Sequence, residues 1–229
     1  MQSINPVYYC LPRAVEVLQQ TRVRIDNGET RAGLNYMLVM ASACFLEAVM
    51  ERGLTEIIET LPPSAHPTDT SMRRDLLSRV RQAQGLKEYK GLFMLATGVP
   101  LNELLYMKER WEGIDALYAL RNMLAHGRAI TARISFPTDE TMPWSTEYEG
   151  SYKKVHEYLV KTGVLTAAVD PMSLEWFCLE NKVADHFWTL AFNAVVYIGE
   201  SLGGKAAESF KMAVYSSEQA ALAKTLPQS

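Results

Sequence analysis

The residues best suited to chemistry lie in one short run near the end of a predicted helix, Arg121-Asn122-x-x-x-His126. A guanidinium binds phosphate through two parallel hydrogen bonds, and an imidazole exchanges a proton near neutral pH. On a helix that turns by about 100° per residue, Asn122 and His126 share a face and Arg121 flanks the same strip of surface. Such a set can activate a ribose 2′-hydroxyl and stabilise the resulting phosphorane, which would cleave RNA without a metal. The spacing alone has low specificity, because long helices often contain it.

The helix that carries this run is predicted over residues 102–126, with Asn102 as its cap and Gly113 as a weak point in its middle. Its apolar residues recur three and four positions apart, which indicates one buried face: Ile114, Leu117, Leu120 and Leu124. Arg121 falls within that stripe, and Gly127 is a typical helix stop. An arginine on a packing face is costly unless it has a partner or faces a wet interface.

The segment RNMLAHG, residues 121–127, resembles the HEPN superfamily (higher eukaryotes and prokaryotes nucleotide-binding domain). That family is defined by R-x(4–6)-H near the end of a late bundle helix, commonly with a polar residue directly after the arginine. The long helix at residues 29–61, with Ser42 and Glu47, resembles the family's other core helix. The resemblance covers mainly residues 29–61 and 100–127, with a helix at 171–202 as a further bundle member.

The resemblance implies an all-α bundle that dimerises, so that two R…H motifs meet across a two-fold axis. It also implies a metal-independent endoribonuclease without a cofactor, acting in phage defence or a toxin–antitoxin system, with RNA, a second copy and an antitoxin or defence partner as expected partners. Arg121 would then point into a composite cleft. In toxins paired with nucleotidyltransferase antitoxins, a tyrosine usually stands two residues after the histidine, and Arg128 at that position argues against this subgroup.

The candidate roles follow from this hypothesis. His126 is the general base or acid, Arg121 stabilises the developing phosphate charge, and Asn122 orients. Glu47, Arg128 and Arg133 are weaker candidates for substrate binding. An internal salt bridge to Arg121 explains Glu47 as well, and surface solubility explains the two arginines as well.

The rest of the chain predicts a single all-α domain, 1–229, with a small β-hairpin inserted after the motif helix. Residues 1–10 are an expected lead-in, and the hairpin is expected within 129–152. The predicted helices span 11–25, 29–61, 71–96, 102–126, 152–162, 171–202 and 205–224. Strand alternation over Ala129–Phe136 and an Asp170-Pro171 helix start support two of these assignments.

Composition narrows the function classes. The net charge of −3 gives no global basic field, so contact with nucleic acid would need a local patch. The chain has no phosphate-binding glycine loop, no paired histidine spacing for a metal, and no nucleophile elbow. Three widely spaced cysteines, Cys10, Cys44 and Cys178, are expected to be buried apolar residues in a reducing compartment. We therefore expect a cytoplasmic protein with no membrane partner and no metal.

Two alternatives stay open. The first is a non-catalytic HEPN-like dimeric adaptor that binds a nucleotide or a protein. The second is a helical interaction protein in which the motif is accidental and Arg121 pairs with Glu47 inside a monomer. The first would bind without cleaving RNA, and the second would leave His126 away from any cleft.

Overall fold

The computed structural model describes residues 6–60, 67–104, 106–127, 131–135, 145–166 and 179–202. Of these, 80% are helical, which confirms the all-α prediction. The helices within these ranges are α1 (Pro6–Val23), α2 (Gly28–Thr60), α3 (Pro67–Gln82), α4 (Leu86–Thr97), α5 (Trp111–Ala125), α6 (Gly150–Lys161) and α7 (Asn181–Leu202). A short 3-10 turn covers Leu101–Glu103, and two strands, β1 (Ala132–Ser135) and β2 (Ser145–Tyr148), form the small sheet.

The chain divides into two compact units, each with its own packing. The first unit is Met1–Ala14, Cys44–Trp111 and Ala191–Ser229, and the second is Val15–Ala43 and Glu112–Leu190. In the first unit, Phe45 stacks on Phe192 with ring centroids 6.5 Å apart. In the second, the fully buried side chains include Leu38, Val39, Leu117, Tyr152, Leu159 and Phe187.

Helix α2 matches its predicted span to within one residue at each end. The side chains of its central part are almost completely buried: Leu38, Val39, Phe45, Leu46, Val49, Met50 and Leu54. Ser42 is fully buried as well, and its hydroxyl donates to the carbonyl of Leu38 at 2.8 Å, so this buried hydroxyl is satisfied within the helix. The prediction of a buried core helix is confirmed.

By length and composition alone, α2 is also the one helix of the described ranges that could cross a membrane. Its most apolar window has a mean hydropathy of 1.5, and 56% of that window is buried inside the fold. Core helices of soluble proteins pass the same test, so this is weak evidence for a membrane span, and the cytoplasmic location stays a prediction.

Helix α5 begins at Trp111, so the predicted start at Asn102 is wrong. Asn102 lies in the 3-10 turn, and Tyr106 has a positive φ of 64°, which an α-helix cannot contain. The guanidinium of Arg110 donates to the carbonyl of Tyr106 at 2.8 Å and lies over the ring of Tyr197, 4.2 Å from its centroid. These contacts hold the turn that precedes α5.

Three other predicted boundaries are also wrong. The predicted helix at 71–96 is two helices, because Gly85 has φ 124° and the Glu88 carboxylate accepts the backbone N–H of Gln84 at 2.7 Å. Helix α1 begins at Pro6, not after residue 10. The helix predicted over 171–202 is non-helical at Leu179 and Glu180 and begins at Asn181. Its predicted start at Asp170-Pro171 and the helix at 205–224 lie outside the described residues.

The predicted β-hairpin is confirmed. Strands β1 and β2 are antiparallel, with Ala132 opposite Tyr148 and Arg133 opposite Glu147. The backbone N–H of Glu149 donates to the carbonyl of Thr131 at 3.0 Å and closes the open end of the ribbon. Helix α6 follows directly, so the chain runs from the end of α5 through the ribbon into α6.

The cysteine prediction is only partly right. Cys10 is exposed on α1, which contradicts its expected burial. Cys44 is half-buried on α2 and has no disulfide. Cys178 lies outside the described residues.

Candidate functional site

The packing face of α5 is the one that the sequence predicts. Ile114, Leu117 and Leu120 are at most 1% exposed, and Leu124 is half-buried. The helix ends at Ala125, and Gly127 takes a left-handed φ of 57°, as expected of a helix stop. This end positions the three candidate residues.

Arg121 is half-buried at the last turn of α5. Its Nη1 donates to the Oδ1 of Asn122 at 2.9 Å. Its Nε is buried and has no hydrogen-bond partner among the described residues. No carboxylate in the described part of the second unit forms an ion pair with it. The guanidinium therefore has donor capacity left for another group.

His126 is exposed just beyond the last residue of α5. Its backbone N–H donates to the carbonyl of Asn122 at 3.1 Å, so the two residues lie one helical turn apart. The exposed imidazole is open to a ligand on this end of the helix. The side chain of Asn122 accepts a hydrogen bond from Arg121, so the residue that it orients in the described structure is the arginine.

The weaker candidates lie elsewhere in the chain. Arg133 is on β1, with a side chain 73% exposed and 4.0 Å from the Glu149 carboxylate, a separation worth little in stability. Arg128 lies outside the described residues. Glu47 belongs to the first unit, as does Tyr89. The pKa of the Tyr89 phenol is raised mainly by burial, and further by the negative charges of Glu51 and Glu47.

Two other histidines, His156 and His186, pack against tyrosine side chains. The ring of His156 lies 4.5 Å from that of Tyr148, and the Nε2 of His186 is 2.8 Å from the hydroxyl of Tyr158. Burial lowers the pKa of both imidazoles, against a smaller opposing effect of Glu157 on His156. His66 lies outside the described residues.

A buried polar network in the second unit was not predicted from the sequence. Arg22, on α1, is 4% exposed and forms an ion pair with Asp185. It also donates to the Oδ1 of Asn35 at 2.8 Å, and Asn35 is 1% exposed. These partners lie on α1, α2 and α7, far apart in sequence, so no local pattern could reveal them.

No family model matches this chain, and no curated protein or solved structure matches it. In the described ranges, no group of three or more His, Cys, Asp or Glu side chains could hold a metal ion. The resemblance to HEPN proteins therefore rests on the residues of α2 and α5 described above.

Proposed function

We propose that this protein is a HEPN-type endoribonuclease that cleaves RNA without a metal. His126 accepts the proton of the ribose 2′-hydroxyl as its oxygen attacks phosphorus, and returns a proton to the 5′-oxygen as the P–O5′ bond breaks, while Arg121 stabilises the charge that develops on the phosphate. The products are a 2′,3′-cyclic phosphate and a 5′-hydroxyl end. The supporting observation is the end of α5, which presents an exposed imidazole and a half-buried guanidinium whose Nε has no hydrogen-bond partner among the described residues.

The surroundings of the Arg121 side chain support the proposal more strongly than the sequence spacing of Arg121 and His126 does. A structural arginine on a packing face is expected to use its donors on carboxylates or carbonyls. Here the Nε of Arg121 is buried and has no hydrogen-bond partner among the described residues. Its Nη1 donates to the neutral side-chain amide of Asn122. A phosphodiester would supply the missing acceptors and the missing negative charge.

The proposal includes a homodimer in which the arginine and the histidine of one site come from different copies. A short helix end presents too little surface to enclose an RNA backbone, and a two-fold axis would place two such ends together. The biological setting, phage defence or a toxin–antitoxin pair, is proposed from the resemblance alone.

The decisive assay uses an end-labelled single-stranded RNA in excess EDTA. We expect the full-length chain to cleave it, and a single 2′-deoxynucleotide at the cleaved position to block the reaction. His126→Ala should abolish cleavage with unchanged circular dichroism, since the side chain is exposed. Arg24→Ala, at another exposed arginine of the second unit, is the control and should cleave normally. Cleavage that EDTA abolishes and Mg²⁺ restores would contradict the mechanism.

Mixed dimers test the composite site. Arg121→Ala and His126→Ala proteins are each expected to be inactive. After unfolding and refolding together in equal amounts, about half of the dimers are mixed and each has one intact site, so about a quarter of the activity should return. No recovery, with dimers confirmed by light scattering, would show that each site lies within one copy.

The adaptor alternative makes a different prediction. A non-catalytic module would bind the RNA in a filter-binding assay, with affinity lowered by Arg121→Ala, but would leave every substrate intact. Binding without cleavage over a panel of structured and unstructured RNAs would favour that alternative.

A further inference from the structure

A pocket of about 420 Å³ lies in the second unit, at the first turns of α2 and α7. Gly28 and Arg31 line it from α2, and Asn181 and Lys182 line it from α7. Its volume falls in the range of small-molecule sites, about 300–1,000 Å³. None of these residues belongs to the candidate nuclease site on α5.

The charges around this pocket favour an anion. The first turn of a helix presents unpaired backbone N–H groups and a partial positive charge, so cations are ordinarily unfavourable there. Arg31 and Lys182 nevertheless stand in the first turns of the two helices. Helix α7 has no acidic residue in that turn, and α2 has Glu29, which does not line the pocket. The Nζ of Lys182 is 3.0 Å from the Glu180 carboxylate, which also lines the pocket and offsets one charge.

Arg31 is the cation that remains. Its Nη2 donates to the backbone carbonyl of Asp26 at 3.2 Å, and among the described residues it forms no ion pair. A guanidinium held by a neutral carbonyl, beside two helix N-termini, is an arrangement that a bound phosphate would stabilise.

The inner wall of the pocket is built from buried polar groups. Asn35 lines the pocket and is 1% exposed, and its Nδ2 donates to the carbonyl of Leu179 at 2.7 Å and to the Oδ1 of Asn181 at 2.9 Å. Arg22 donates to the Oδ1 of Asn35, and its Nε is buried without a described partner. The network ties the start of α7 to α2, so both helix ends are fixed before any ligand arrives.

We propose that this pocket binds the phosphate group of a small organic phosphate, with Arg31 as the principal ligand. The pocket is larger than a phosphate ion, and Ala32 and Leu179 add apolar lining that suits a sugar-sized body. This site is independent of RNA cleavage, because it shares no residue with the end of α5.

Isothermal titration of the full-length chain with ribose 5-phosphate tests the proposal, with ribose and inorganic phosphate as comparison ligands. We expect ribose 5-phosphate to bind and ribose not to bind. Arg31→Ala should weaken binding roughly tenfold or more, since a charge-assisted contact is lost. Arg24→Ala should leave it unchanged, and Glu180→Gln should tighten it by removing a nearby negative charge. His126→Ala should bind normally, which separates this site from the nuclease proposal.

Several outcomes would overturn the proposal. They are no binding of ribose 5-phosphate at millimolar concentration, equal binding of ribose, or equal losses in Arg31→Ala and Arg24→Ala. Inorganic phosphate that binds as tightly as ribose 5-phosphate would overturn the assignment to an organic phosphate. Unchanged circular dichroism of Arg31→Ala, together with normal RNA cleavage if the chain is a nuclease, shows that a loss is local.

Discussion

Replacing Gly113 by alanine is predicted to destabilise the fold, although alanine ordinarily favours a helix more than glycine does. A Cβ at Gly113 would lie 2.3 Å from the hydroxyl oxygen of Tyr158, 2.6 Å from its Cζ and 2.8 Å from Cδ2 of Leu190. Each distance is too short for a real contact. Tyr158 and Leu190 are 7% and 9% exposed, so neither side chain can move into open solvent.

The expected cost follows from these contacts. Overpacking a buried site costs about 1–3 kcal/mol. Displacing Tyr158 also strains its 2.8 Å hydrogen bond to His186, which is worth about 0.5–1.5 kcal/mol. The higher helix propensity of alanine returns about 1 kcal/mol. We therefore expect Gly113→Ala to lower the free energy of unfolding by about 1–3 kcal/mol, or the melting temperature by roughly 3–10 °C.

Urea unfolding monitored by circular dichroism measures the change. Gly33→Ala is the matched control, because nothing lies within 4 Å of its added Cβ, and it should raise stability by about 0.5–1 kcal/mol. Adding Tyr158→Leu to Gly113→Ala should cost less than the two single changes combined. Equal stabilisation by both glycine replacements would refute the close packing of α5 on α6.

Two further predictions concern charge. Burial lowers the pKa of His186, so its neutral form stabilises the fold above about pH 6.5 and that contribution is lost as the pH falls through the lowered folded value. Between pH 7.5 and 5, the urea midpoint of His186→Gln should fall less steeply with decreasing pH than that of the unsubstituted protein. An equal slope in the two proteins would contradict the role given to His186. Asp185→Asn should cost about 2 kcal/mol or more because it strands the buried Arg22. Lys161→Ala, which breaks an exposed pair with Glu112, should cost less than about 1 kcal/mol in the same urea assay, and equal costs would contradict the reasoning.

The sequence predicted correctly those elements that are marked by residues within or directly beside them. Helix α2 ends before a Pro-Pro pair, the end of α5 has Gly127, and the hairpin shows strand alternation. The start of α5 was predicted wrongly because the turn before it has no local sequence signal: Tyr106 has a positive φ, and its ring contact is with Tyr197, 5.3 Å away between ring centroids and 91 positions along the chain. Periodicity continues through such a turn without any sign of it.

The same distinction applies to the candidate sites. Arg121, Asn122 and His126 could be found because they lie within six consecutive positions of one helix end. Asn35 could not, because its partners Arg22 and Asn181 come from other helices and its burial follows only from their packing. In the sequence, Asn35 is a polar residue in a core helix with no evident partner, and its hydrogen bonds to Leu179 and Asn181 appear only in the folded structure. The pocket proposed to bind phosphate is therefore a property of the tertiary fold, whereas the proposed nuclease site is a property of one helix end and of the second copy proposed to face it.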